Sequence, residues 1–65
     1  NRERTILEIV KRIHLETGEV VALMDVFTEA GRLDISRDVA EDLIDMLCRD
    51  GRLMRPSGYD TLQPV

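Results

Sequence analysis

Apolar residues return along this chain at helical spacing in three separate stretches. Ile6, Ile9, Val10 and Ile13 fall at i, i+3, i+4 and i+7. Leu23, Val26, Phe27 and Ala30 repeat that spacing, and Ala40, Leu43, Ile44 and Leu47 repeat it again. Each set lines one face of an α-helix and leaves the other face polar. A glycine follows each stretch, at Gly18, Gly31 and Gly51. Glycine just past a helix accepts the left-handed conformation that closes it. The pattern therefore predicts helices over about 2–17, 23–30 and 37–50.

The helix starts differ in quality. Ser36 is a good N-cap for the third helix, with Asp38 in the first turn to complement the dipole and Ile35 outside to staple the chain. Thr5 and Glu8 have capping-box spacing for the first helix, which Arg2–Arg4 could extend upstream. The second helix has no side-chain cap in its sequence. Glu19–Ala22 reads as a short strand. After Gly51, Arg52–Arg55 reads as a strand, Pro56–Ser57–Gly58 as a turn and Tyr59–Leu62 as the returning strand. The order helix, short strand, helix, helix, strand, strand is that of a winged helix-turn-helix: a mostly α domain with a two-stranded wing over about 52–62. Gly31–Ile35 is a fitting connection between its second and third helices. The whole chain, 1–65, forms a single such domain.

Composition narrows what the domain can do. With 65 residues, it buries only about 60% of the surface its unfolded chain exposes, which leaves little room for an enclosed catalytic cleft. One Phe and one Tyr are too few for a base-stacking platform. Nine basic against thirteen acidic residues give a net charge of −4, opposite in sign to a domain built to hold phosphates. The single cysteine, Cys48, excludes an internal disulfide, and with one His no usual zinc cluster can be assembled. An unstapled small domain with a free thiol points to a reducing, intracellular setting. The longest apolar run, Val20–Met24, is far below the roughly 20 residues that cross a bilayer. The chain begins with Asn1 rather than Met and reads as a domain cut from a longer protein.

The third helix is the element a DNA-binding winged helix inserts in the major groove. Here its outward face carries Asp38, Asp42, Asp45 and Arg49, with Glu41 to one side. From Ser36 to Asp50 there are five acids and two arginines. A duplex carries one negative charge per roughly 1.7 Å, so this face is repelled by it. The helix also lacks the Asn, Gln or Lys that direct base readout uses. The candidate DNA-phosphate contacts are instead Arg49, Arg52 and Arg55, at or beside the wing, whose plain alternative is a solvated role balancing Asp50 and Asp60. Asp38, Asp42, Asp45 and Met46 form a candidate protein-contact surface. Met24, Met46 and Met54 suit either an adaptable contact face or the filling of core edges.

Single residues carry no catalytic pattern. His14 has no positioned partner, Cys48 beside Leu47 reads as packing, and Asp34 and Asp38 read as helix-start residues rather than a metal pair. No phosphate-binding loop or zinc-protease motif is present. The domain is expected to be neither an enzyme nor a cofactor or metal binder.

The run Leu33-Asp34-Ile35-Ser36, then Val39 through Leu47, then Gly51 through Tyr59 with Pro56 and Gly58, resembles the C-terminal winged-helix domain of archaeal minichromosome maintenance (MCM) helicases. Arg4–Glu16, Gly18-Glu19-Val20 and Glu29-Ala30-Gly31 fit the same pattern, so the resemblance covers nearly the whole chain. Met54 departs from the Tyr common in that family, and Leu33-Asp34 from a Lys-Gly. The resemblance implies a parent that unwinds DNA at replication forks as an ATP-driven hexamer, with ATP and Mg held by a motor domain upstream. It implies a monomeric regulatory tail that modulates ATPase and unwinding, with the motor domain and other replication proteins as partners and weak or no DNA binding of its own. It places the parent in an archaeal cytoplasm or nucleoid, away from membranes. A DNA-binding domain of a transcription regulator, touching phosphates through the wing, and a scaffold in a multisubunit complex are the other functions open to this fold.

Overall fold

A computed structural model describes Asn1–Val65 as three helices and a small antiparallel sheet, in the order α1 (Arg2–Thr17), β1 (Val21–Ala22), α2 (Leu23–Arg32), α3 (Arg37–Arg49), β2 (Leu53–Met54) and β3 (Thr61–Pro64). The sheet order is β1-β3-β2. The last strand therefore lies between the first two, with Val21 opposite Leu62 and Leu53 opposite Pro64. This is the winged-helix arrangement. Pro64 has no N–H to give the ladder, and the next residue supplies a bond instead: Val65 N–H donates to the Arg52 carbonyl at 3.1 Å.

The three helical stripes converge on one core. Ile6, Ile9 and Val10 from α1, Val26, Phe27 and Ala30 from α2, and Ala40, Ile44 and Leu47 from α3 are buried with Val21, Ile35, Leu53 and Leu62. No polar side chain is buried with them. One predicted member of each stripe, Ile13, Leu23 and Leu43, is only half-buried at the rim.

The boundaries depart from the periodicity in several places. α1 begins at Arg2 because Asn1 caps it, its Oδ1 accepting from Arg4 N–H at 2.8 Å. Thr5 is thus already inside the first turn and donates its hydroxyl to the Asn1 carbonyl, so no capping box with Glu8 forms. β1 is shorter than Glu19–Ala22 because Glu19 is tied back to the end of α1. Its carbonyl accepts from His14 Nδ1 at 2.7 Å, and its N–H donates to Thr17 Oγ1. The returning strand is Thr61–Pro64, two residues beyond the expected start. Thr61 Oγ1 accepts from Ser57 N–H and donates to the Gly58 carbonyl, which keeps Tyr59 and Asp60 in the wing loop and turns Leu62 into the core.

Helices α2 and α3 both end in a Schellman motif. At α3, Arg52 N–H bonds the Leu47 carbonyl and Gly51 N–H the Cys48 carbonyl, with Gly51 at φ 77. At α2 the corresponding bonds run from Ile35 to Ala30 and from Asp34 to Gly31. The left-handed residue there is Asp34, at φ 64, not Gly31, which lies inside the helix. Burial of Ile35 decides this, because its side chain reaches the core only if the chain turns one residue before it. Two substitutions test the placement. Asp34→Gly removes the cost of a left-handed Asp and Gly31→Ala removes a helical glycine whose Cβ position is open, so each is expected to raise stability by about 0.5 kcal/mol. Urea unfolding checks this. If Gly31 closed the helix, Gly31→Ala would instead destabilise.

Candidate functional site

Helix α3 and the wing face each other across a cleft of about 150 Å³, floored by Ile44 and flanked by Leu23 and Tyr59. α3 is set by its Ser36 cap, whose Oγ accepts from Val39 N–H at 3.3 Å. Its rotation is set by Ala40, Ile44 and Leu47 in the core. At about 100° per residue, Arg37, Glu41 and Asp45 then fall on the flank that looks toward the wing.

Those three side chains form the charged wall of the cleft. Arg37 Nε pairs with Glu41 at 3.1 Å, one turn on, and its guanidinium lies 4.9 Å from the centroid of the Phe27 ring. Asp45 receives Arg55 Nη2 at 2.8 Å. Arg55 also lies 4.2 Å over the Tyr59 ring and donates Nη1 to the Tyr59 carbonyl at 3.4 Å. The wing loop reaches the start of α2 as well, where Leu23 N–H donates to the Asp60 carbonyl at 2.9 Å. That bond serves one of the free N–H groups of a helix whose N-cap, Ala22, makes no side-chain bond.

The residues singled out from the sequence separate in space. Arg55 is only 18% exposed and committed to Asp45, neither to Asp50 nor to Asp60. Arg49 and Arg52 are exposed at the other end of α3, with no ion-pair partner. Arg52 borders a groove shared with Arg4, Leu7 and Lys11 of α1, together with Glu3 and Glu8. Arg55 is thus engaged within the fold, while Arg49 and Arg52 stay open to solvent. Of the acidic surface, Asp45 belongs to the cleft wall, while Asp38 and Asp42 stand exposed beside it without ion pairs. Met46 lies on the far flank of α3, about 100° from Asp45. Met24, Met46 and Met54 are 60%, 42% and 43% exposed on three different elements, so none is buried in the core.

Other side chains find local roles. His14 is half-buried, and since a carbonyl only accepts, its Nδ1 carries the proton given to Glu19. Cys48 is half-buried against the core. Asp34 closes α2 through its backbone and Asp38 sits in the first turn of α3.

Leu23, Arg37 and Tyr59 enter the site only through the fold. The Arg37–Glu41 spacing carries a local signal, an i,i+4 pair of opposite charges. The pairing of Asp45 with Arg55 carries none, since the turn and the wing strand intervene. No helix is long and apolar enough to cross a membrane. No protein-family model matches the chain, and a search of curated proteins finds no match either.

Proposed function

We propose that this domain is a regulatory protein-contact module of a replicative helicase of the MCM type, attached to an ATP-driven hexameric ring and adjusting its ATPase and unwinding rates. The observation that carries the protein-contact half of this reading is the Asp45–Arg55 pair. It withdraws the best-placed wing arginine from phosphate while α3 keeps Asp38 and Asp42 facing outward. A duplex approaching α3 in the usual winged-helix manner meets uncompensated carboxylates. A basic protein surface meets complementary charge. The attachment to a helicase rests on the sequence resemblance.

ATP and magnesium belong, on this reading, to the motor domain. The groove between α1 and α2 does not fit a triphosphate. Arg12 and Arg32, in this groove of about 500 Å³, share Glu29 at 3.0 Å each, and Arg12 also pairs with Glu16 at 3.1 Å, so two carboxylates balance the two arginines.

Removing residues 1–65 from the parent is expected to change its ATPase and unwinding rates by about fivefold, the low end of ordinary coupling between sites, without abolishing them. Complete loss of ATP hydrolysis would overturn the reading. Exposed and unpaired Arg49 and Arg52 favour a second one, a DNA-binding domain of a transcription regulator. That reading predicts salt-sensitive duplex binding that disappears in the Arg49→Ala, Arg52→Ala double variant, measured by fluorescence anisotropy.

A further inference from the structure

We propose, on the protein-contact reading above, that the cleft between α3 and the wing is a docking site for a linear peptide segment carrying one apolar anchor residue flanked by Lys or Arg. The anchor seats between Leu23 and Tyr59, above the buried Ile44, and the basic flanks lie on Asp38 and Asp42. Size fixes the first part. At about 150 Å³ the cleft is well below the roughly 300–1,000 Å³ of small-molecule pockets and suits a single side chain. Its apolar lining is Leu23, Ile44 and Tyr59, set within a wall of paired charges, and Tyr59, 72% exposed, offers a ring of the type that dominates protein interfaces.

Charge fixes the second part. The two arginines of the cleft are already neutralised, Arg37 by Glu41 and Arg55 by Asp45, so the wall offers nothing to a phosphate or an acidic peptide. Asp38 and Asp42 stand one helical turn apart beside that wall, exposed and without partners. They match Lys or Arg on either side of the anchor. The cleft is also held open before any ligand arrives. The Arg55 pair fixes the wing to α3, and the Leu23–Asp60 bond fixes it to α2. A pre-formed pocket spares the ordering cost that weakens peptide binding.

The test is an NMR titration of the isotope-labelled 65-residue chain with two synthetic nonapeptides, each with basic flanks. One has a central Leu and the other a central Ala. The Leu peptide is expected to shift the amides of Leu23, Ile44 and Tyr59, and to bind about tenfold more tightly than the Ala peptide. Tyr59→Ala, at an exposed position that leaves the core untouched, is expected to erase that difference. Equal affinity for the two peptides overturns the proposal, as does Leu-dependent binding at Arg4, Lys11 and Arg52, or no saturable shift from either peptide. Shifts along Asp38, Asp42 and Met46 that ignore the anchor overturn the cleft while leaving protein contact standing. A parallel titration with duplex DNA that shifts the outward amides of α3 at about 200 mM salt removes the protein-contact reading itself.

Discussion

Leu62→Ala is expected to lower the unfolding free energy by about 3 kcal/mol, in the middle of the range for large-to-small core substitutions. Leu62 is fully buried on the strand that joins the other two, opposite Val21. β3 also packs against α1, so truncation there opens a cavity where helix and sheet meet. A domain of 65 residues has only about 3–10 kcal/mol of stability in all, so the variant loses a large share of it and its urea midpoint falls sharply. Leu15→Ala is the control. That leucine is 86% exposed, and its loss is expected to change stability by less than about 0.5 kcal/mol. Circular dichroism during urea unfolding measures both. Equal small shifts would mean that β3 is not the central strand.

Arg55→Ala is expected to cost about 1–2 kcal/mol, more than Asp45→Asn at about 0.5–1 kcal/mol. The asymmetry follows from what each side chain touches. Asp45 is 40% exposed and makes one ion pair, so water and salt screen much of its contribution. Arg55 is more enclosed, makes that pair, and also stacks on Tyr59. A double-mutant cycle is expected to give a coupling of about 0.5–1 kcal/mol that shrinks as salt is raised. No coupling would mean that the wing is not fastened to α3. The variants also bear on function, since unfastening the wing removes the fixed shape of the cleft and sets Asp45 free. Arg55→Ala is therefore expected to lose the preference for a central Leu over a central Ala while still binding basic peptides.

The helical part of this domain was open to reading from one dimension. Three stripes at i, i+3, i+4 and i+7 specify three amphipathic helices because helical geometry alone decides which side chains share a face. Ser36 and Gly51 mark both ends of α3 by local backbone chemistry. The acidity of the outward α3 face was legible for the same reason, since rotation about a helix axis follows from position once the core stripe is known. Leu53 and Met54 were different: alternation along a strand says that one faces in and one out, but only the pairing with β3 decides which.

What the chain's linear order could not carry are the choices made by contacts distant in sequence. The end of α2 passed over Gly31 and settled on Asp34, because burying Ile35 outweighs the small strain of a left-handed Asp. The start of α2, which has no side-chain cap, is served by the Asp60 carbonyl from the wing. Arg55, a candidate phosphate contact by its place in the sequence, became a structural tie to Asp45. In each case local preferences differ by about 1 kcal/mol or less, while burying one more apolar side chain is worth about 2 kcal/mol. The three helices and the surface charge were thus determined by the sequence itself, and the tertiary structure decided where α2 and the strands end, which charges stay free and where a cleft forms.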